Sequence, residues 1–586
     1  MRGYFFFDIR GQGAGNEVSS GVRSSIATIW ASQRSKPTHS FDTEKGVYGM
    51  SLRASLAGLL LISFLPASGQ HQGHDLGSVH FPVSCTPAAR KTFERAVALL
   101  HSFWYDEAEK TFSEATRIDP GCAMGYWGIA MSLYHPVWVP PTPADLKKGM
   151  AAVVKAKSAA AKTQRERDYI AAIEAFYKDS DKVAHRERAR AWRNAMQQLS
   201  ARYPEDPEAA IFFALALIGT APATDRTYAN QKQAAEILNR LLPEQPNHPG
   251  IAHYLIHCYD SPQLAILALP AARRYARIAP AAPHALHMPS HIFTRLGLWQ
   301  DSIDSNLASA AAARRYVAKT LPGAASQDQL HAMDYLVYAY LQTCQDAAAE
   351  HVVEEAAAVS KVDQNVFQAA YALAAIPARY ALERRRWSAA AALEMRPAGF
   401  PWTQFRYAEA ITYFARALGA ARSGNPSAAR GDIEKLTAVY RAMAQVEQGY
   451  SWSTQVEVQR LAAWAWCAHA EGDNAGALRW MRSAADLEDK TDKHPVTPGP
   501  VLPARELLGE LLMELDRPAL AFPEFEAVLQ GSPKRFNATY GAARSAELSG
   551  DRKRATERYS ELLQLCGQAE AQRLEVQNAR AYLEKR

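Results

Sequence analysis

The feature that most constrains this chain is an internal repeat with a period of 34 residues. That separation recurs in four pairs of residues: Pro246 and Pro280, His253 and His287, His257 and His291, and His101 and His135. Periods of 20 to 50 residues are typical of solenoids and related arrays, in which each unit buries its apolar face only against its neighbours. The repeat therefore predicts a stack of small units rather than one central core.

The units are expected to be helical. Alanine runs such as 159–161 and 310–313 favour helices that pack closely. The sequence lacks the sustained period-2 alternation of Val, Ile and Thr that would indicate strands. We therefore predict an all-α protein.

One unit shows a complete helix-hairpin pattern. Ala108, Phe112 and Ala115 precede Pro120 at the spacing that places small and aromatic residues where two helices cross. Similar patterns recur in the C-terminal half at Ala477, Met481 and Ala484, at Ala521 and Phe525, and at Ala555 and Tyr559. On these residues the chain resembles the tetratricopeptide-repeat family, which implies a right-handed α-solenoid of helix hairpins.

A narrower resemblance is carried by three segments, 100–105, 124–128 and 494–500. They are similar to poorly characterised bacterial exported proteins built on the same repeat. The resemblance covers most of residues 75–586. It implies little about activity, because repeat arrays host many unrelated tasks.

The N-terminal region predicts export. A short basic start at Met50 precedes the apolar run 54–65, and small residues lead to a cleavage point after about Gly69. We expect residues 50–69 to be a signal peptide and residues 1–49 to be an untranslated or disordered extension. The mature protein would then be periplasmic or secreted, with no membrane anchor after cleavage.

The remaining chain divides according to the register of the repeats. We expect a flexible segment at 70–87, an N-terminal array at 88–384 with an insertion at 136–165, a linker at 385–402, and a C-terminal array at 403–586. The six cysteines form no CxxC pair. An exported protein can oxidise some of them, but their spacing does not decide which ones pair.

The charge distribution argues against a nucleic-acid partner. The formal net charge is +6, and half of this excess lies in residues 1–69. Elsewhere basic residues alternate with acids, as in 165–168, which is typical of solvated helix faces. A basic patch of the kind that binds nucleic acid is therefore not expected.

A ladder of histidines follows the repeat register. The family resemblance implies that certain positions of the first helix of each hairpin face a concave groove. On this sequence those positions are occupied by His253, His257, His284, His287 and His291, by His101 and His135, and by Asp260 and Arg295. Pairs at i, i+4 share one helix face.

Two functions are consistent with this ladder. The first is a non-catalytic scaffold that binds a protein or peptide partner in its groove, with His101, His135, His284 and Arg295 among the contacts. We expect this function, because no HExxH arrangement, nucleophile elbow or nucleotide motif is present.

The alternative is a metal-binding protein or metal-dependent hydrolase. Imidazoles from neighbouring helices are good ligands for Zn²⁺, Cu²⁺ or Ni²⁺. Asp260 would serve as a fourth ligand or would orient a ligand through a hydrogen bond. The proposed ligands are His253, His257, His287 and His291.

Overall fold

The computed structural model describes residues 75–137, 140–445, 450–567 and 573–585. The extension at 1–49 and the signal peptide at 50–69 lie outside the described residues, so both stay predictions. Among the described helices, none combines the length and the apolar character that crossing a bilayer requires.

From Pro87 onward the chain is a succession of α-helices joined by short connections. The first group comprises Pro87–His101 (α1), Tyr105–Ile118 (α2), Ala123–Tyr134 (α3), Pro143–Ser158 (α4), Gln164–Tyr177 (α5), His185–Arg202 (α6), Pro207–Gly219 (α7) and Ala229–Leu241 (α8). The second comprises Pro249–Tyr259 (α9), Ala265–Ile278 (α10), Pro283–His287 (α11), Pro289–Arg295 (α12), Trp299–Thr320 (α13), Gln327–Gln342 (α14), Asp346–Ala357 (α15) and Phe367–Glu383 (α16). The last comprises Trp387–Ala391 (α17), Arg406–Arg422 (α18), Pro426–Ala444 (α19), Trp452–Ala470 (α20), Asn474–Glu488 (α21), Ala504–Glu514 (α22), Pro518–Gly531 (α23), Phe536–Leu548 (α24), Arg552–Cys566 (α25) and Leu574–Glu584 (α26).

Helices account for almost all of the regular structure. A short 3₁₀ turn at Trp402–Gln404 and one isolated bridge between Ala325 and Val362 complete it among the described residues. Consecutive helices pack against one another along the chain, as expected for stacked hairpins. The predicted all-α solenoid of helix hairpins is confirmed.

The crossings between neighbouring hairpins explain the small residues of the repeat. Phe112 on α2 lies against Gly128 on α3, where a Cβ atom would overlap the aromatic ring. Ala108 and Ala115, on the same face of α2, are fully buried. Small side chains at these positions let the backbones approach closely enough for the ring to fill the remaining space.

The later units follow the same rule. The register residues of α21, α23 and α25 are all buried: Ala477, Met481 and Ala484, Ala521 and Phe525, and Ala555 and Tyr559. Between α18 and α19 the side chain of Asn425 accepts a hydrogen bond from the Ala428 amide and caps α19. The C-terminal repeat pattern thus marks the packed faces of these helices.

Three segments outside the repeat register are more ordered than the sequence indicates. The insertion at 136–165 contains α4, which packs on α3 and begins with a capping box between Thr142 and Asp145. The linker at 385–402 contains the short helix α17, which packs on α18. In place of a flexible segment, residues 75–86 lie on the array with Phe81 fully buried among aromatic rings.

The array also makes contacts across large sequence separations. Tyr316 on α13 donates a hydrogen bond to Glu107 on α2, and Trp299 donates one to the backbone oxygen of Lys534. Arg379 on α16 donates to the backbone oxygens of Gly499 and Pro500. A solenoid whose units touched only their neighbours would have none of these contacts, so distant units close over the interior of the array.

Two disulfides join residues whose pairing the spacing left open. Cys85 is bonded to Cys122, and Cys344 to Cys566. Cys258 and Cys467 are buried free thiols.

Candidate metal centre

Two groups of three histidines lie at the interior of the N-terminal array. Trio A consists of His253 and His257 on α9 and His284 on α11. Trio B consists of His287 on α11, His291 on α12 and His331 on α14. In each trio the three ligand nitrogens lie within 4.8 Å of one another.

The helices that supply these residues are held in place by their proline positions. Pro249, Pro283 and Pro289 each occupy the first turn of a helix, where the missing N–H group costs nothing. Met288 keeps helical backbone angles between α11 and α12, so the two form one helix interrupted by Pro289. This interrupted helix contributes His284 to trio A and His287 and His291 to trio B.

Trio A converges on the Nε2 atom of His253. This atom lies 2.9 Å from Nε2 of His257 and 3.2 Å from Nε2 of His284. The Nδ1–H group of His253 donates to the backbone oxygen of His101 at 2.7 Å. His253 is fully buried, and the other two rings are partly buried.

Trio B is buried throughout. The Nε2 atoms of His287 and His291 lie 3.0 Å apart. The ring of His331 lies close to that of His287, with ring centroids 4.2 Å apart and the planes tilted by 51°. All three rings therefore face one small interior volume.

Hydrogen bonds at Nδ1 decide which nitrogens of trio B carry protons. His287 Nδ1 lies 2.6 Å from Oδ1 of Asn306, whose own amide nitrogen donates to the Ser302 carbonyl. His291 Nδ1 lies 3.0 Å from Oδ2 of Asp260. Amide and carboxylate oxygens only accept here, so each Nδ1 is a donor and each neutral ring keeps its lone pair on Nε2.

The electrostatics keep these rings neutral. Burial, followed by the neighbouring imidazoles, lowers the pKa of His253, His257, His284, His287 and His331 well below the ordinary value. Burial also lowers the pKa of His291, against the raising effect of Asp260. At neutral pH the trios are therefore sets of uncharged imidazoles, the form that binds metal ions.

Asp260 lies beside trio B rather than within it. Its carboxylate accepts from His291 and from Nε of Arg295 at 2.9 Å, and Nζ of Lys493 lies 3.5 Å away. The pKa of Asp260 is well below its usual value because, despite burial, Lys493 and Arg295 stabilise the charge. Asp260 thus orients a histidine, one of the two roles predicted for it.

Aromatic rings enclose both trios. Phe103 stacks on His257 and His284, and Tyr275 stacks on His253 with ring centroids 5.0 Å apart. Tyr335 lies against His287 and His291 at 4.8 and 5.1 Å. The surroundings are therefore mostly apolar, which strengthens electrostatic interactions inside.

A third cluster close by has a different chemistry. His101 and His248 point their Nε2 atoms at the two oxygens of Glu208, at 3.0 and 2.9 Å, and all three side chains are buried. Nδ1 of His101 lies 2.8 Å from the hydroxyl of Tyr254. The Nε2 atoms of His101 and His248 therefore donate to the carboxylate of Glu208, so these two nitrogens have no lone pair to offer a cation.

The four residues predicted to contact a partner in the groove are buried or partly buried. His101 has 0% exposure, and His284 and Arg295 are partly buried. His135 ends α3 in a left-handed conformation with its ring 4.4 Å from that of Tyr105. Of these four residues, His284 lies with the predicted ligands His253 and His257 in trio A.

His331 is the ligand that the sequence reasoning missed. It follows residues 314–330, where the repeat register breaks, and it lies 40 rather than 34 residues after His291. A search for histidines at i, i+4 spacing could not find it, because it is the only histidine of α14. The signal available was a lone histidine on a helix rich in aromatic residues, close after α12 and α13 in the stack.

Comparison with known proteins finds similarity to solved structures alone. No protein-family model and no curated protein matches this sequence. Among solved structures, yeast Tom70 is similar at 12% identity, with 85% of this chain and 96% of that chain covered and a TM-score of 0.31.

Two further solved structures are similar over comparable lengths. The human IFIT1 dimer with m7Gppp-AAAA matches at 9% identity over 76% of this chain and 90% of that chain, with a TM-score of 0.35. The APC/C hetero-tetramer Cut9–Hcn1 matches at 11% identity over 85% and 89%, with a TM-score of 0.29. At these TM-scores the likenesses carry no argument about function, and the fold description rests on the helices themselves.

Proposed function

We propose that this protein is an exported metalloprotein that binds two first-row transition-metal ions, one in trio A and one in trio B. The observation that carries the proposal is the 3.0 Å approach of Nε2 of His287 to Nε2 of His291. Both rings use their Nδ1–H groups on oxygen acceptors, so two lone pairs face each other. A cation bound between the two nitrogens would remove this repulsion, because each nitrogen would donate its lone pair to the ion.

The donor set indicates the kind of ion. Each trio offers three neutral imidazoles, which suit zinc, copper and nickel and do not suit magnesium or calcium. The partners of Nδ1 in His253, His287 and His291 are a carbonyl, an amide and a carboxylate, as is usual for metal-bound histidine.

Export is part of the proposal. It is supported by the signal-peptide pattern of residues 50–69 and by the two disulfides, since disulfides persist in oxidising compartments such as the periplasm. In such a compartment the protein would acquire its ions from the exported metal pool.

The peptide-binding scaffold stays a prediction without a located site. Three of the four residues expected to contact a partner are engaged inside the array: His101 with Glu208, His284 with His253, and Arg295 with Asp260. A partner would have to bind another part of the surface.

The test is elemental analysis of the full chain expressed with its own N-terminal region, without a histidine tag, and purified without chelators. We expect about two transition-metal ions per chain, and a melting temperature that rises with free metal concentration. The double variants His253→Gln/His284→Gln and His287→Gln/His291→Gln should each lose one ion.

Two controls separate metal loss from general damage. His351→Gln removes an exposed histidine, and His248→Asn alters the Glu208 cluster, so both should retain two ions. Absence of bound metal, with no thermal shift on adding zinc, copper or nickel, would refute the proposal.

A further inference from the structure

We infer that trios A and B form one binuclear copper centre that binds dioxygen between its two ions. This inference rests on the proposed function and goes beyond it by naming the metal, the coupling and the small-molecule ligand. It concerns six side chains that the structure brings together from α9, α11, α12 and α14.

The first argument is that the two trios adjoin. His284 of trio A and His287 of trio B lie three residues apart on one interrupted helix, and their ring centroids are 6.3 Å apart. Two ions held here would be bound by neighbouring side chains of one interrupted helix.

The second argument is the donor set. The six ligands are all imidazoles, and among the described residues no carboxylate or thiolate completes either trio. Divalent affinity for nitrogen ligands peaks at copper, and three imidazoles also suit the lower coordination number of Cu(I). A pair of hydrolytic ions would need a general base nearby, and the nearest carboxylate, Asp260, is engaged by His291, Arg295 and Lys493.

The third argument is charge. The guanidinium of Arg295 is paired with Asp260, so this carboxylate does not offset the charge of two divalent cations beside trio B. Two Cu(I) ions bring half the charge of two divalent ions into this buried region, at a lower desolvation cost. When the pair is oxidised, an anion bound between the ions supplies the missing negative charge.

Dioxygen meets these requirements. Each Cu(I) gives up one electron, and O₂ gains both and becomes a peroxide dianion that bridges two Cu(II) ions. No proton and no further reductant is needed, and the charges balance. The rings of Phe103, Tyr275 and Tyr335 exclude bulk water from the pair, while the ligand itself is only two atoms long.

The test uses the full chain loaded anaerobically with Cu(I). We expect about two copper ions per chain, uptake of one O₂ for every two copper ions, and a new near-ultraviolet absorption that copper-free protein lacks. Because a bridged Cu(II) pair is magnetically coupled, the oxygenated protein should give no Cu(II) signal in electron paramagnetic resonance.

Matched variants test each half of the centre. His284→Gln and His331→Gln should each bind one copper ion, take up no stoichiometric O₂, and show the resonance signal of an isolated Cu(II) ion after oxidation. His351→Gln should behave as the wild type. The melting temperature of each copper-free variant, compared with that of the copper-free wild type, shows whether it has folded.

The outcomes separate the two proposals. Two bound copper ions that take up no O₂ and give isolated Cu(II) signals would overturn the binuclear inference and leave the metalloprotein standing. Exclusive binding of zinc or nickel would likewise overturn the binuclear copper inference and leave the metalloprotein proposal standing. Absence of any bound metal would overturn both.

Discussion

Histidine can be a core residue, a hydrogen-bond partner or a metal ligand, and here the group beside each ring nitrogen separates these roles. His101 and His248 direct Nε2 at the carboxylate of Glu208 and need protons there. His287 and His291 direct Nδ1 at oxygen acceptors and are left with facing lone pairs. Residues of one type, all buried within one array, thus have different chemistry because their acceptors differ.

A prediction at the residue scale concerns Asp328, at the start of α14. Burial, and next Asp363, raises its pKa to about 7 from 3.8, so the folded state holds a proton that the unfolded state releases. The resulting stability is present below about pH 4 and is lost as the pH rises through about 7. Asp328→Asn should therefore raise the free energy of unfolding at pH 8 by up to about 4 kcal/mol, and change it little at pH 4.

Urea denaturation of both proteins at the two pH values measures this difference. Other groups that titrate in the same way in both proteins contribute equally to the two pH dependences, so their contributions cancel in the difference. An equal pH dependence in wild type and variant would show that Asp328 is ionised in the folded protein at neutral pH.

One interrupted helix links the two histidine trios. The interrupted helix formed by α11 and α12 contributes to both trios, whereas α9 serves only trio A and α14 only trio B. Its neighbours are set at close distance by the small residues at helix crossings, which recur throughout the array. Crossing geometry therefore controls the positions of ligands that lie some distance from the crossing itself.

Two glycine substitutions, one at the crossing of α2 and α3 and one at an exposed position, test how closely the helices pack. Gly128→Ala places a methyl group into the ring of Phe112 and should destabilise the protein by about 1 to 3 kcal/mol. Gly431→Ala lies on an exposed part of α19 with no atom near the new methyl group, so it should stabilise the protein by about 0.5 to 1 kcal/mol. Thermal unfolding of the two variants should show opposite signs, and a stabilised Gly128→Ala variant would contradict the packing described.

At the scale of the whole molecule, contacts between distant units close the array around the candidate site. Lys493, between α21 and α22, reaches Asp260 after α9, and Gln364 donates to Asp106 near the start of α2. The Cys344–Cys566 disulfide links residues 222 positions apart. The site is therefore enclosed by parts of the chain that a simple stack would leave apart.

The disulfides give a prediction at this scale. A cross-link restricts the unfolded chain more when it closes a longer loop, so removing Cys344–Cys566 should cost about 1 to 2 kcal/mol more than removing Cys85–Cys122, which are 37 residues apart. The serine double variants can be compared by thermal unfolding. A larger loss for the Cys85→Ser/Cys122→Ser variant would show that the stabilisation comes from native contacts rather than from loop closure.

Features that depend on residues close together along the chain could be predicted from the sequence. The period of 34 and the buried small and aromatic positions predicted helix hairpins, because a helix crossing needs particular residue sizes at fixed local spacing. The i, i+4 spacing placed His253 with His257 and His287 with His291, because residues at that spacing share a helix face.

The tertiary structure decided what depends on contacts between units. His331 joins trio B from beyond a break in the register, and His101, although in the register, pairs with Glu208 instead. The acceptors Asn306 and Asp260, which select the tautomers, come from other helices and turns. The spacing of residues predicts which of them share a face of a helix. The polar group that contacts this face depends on how units distant in sequence pack together.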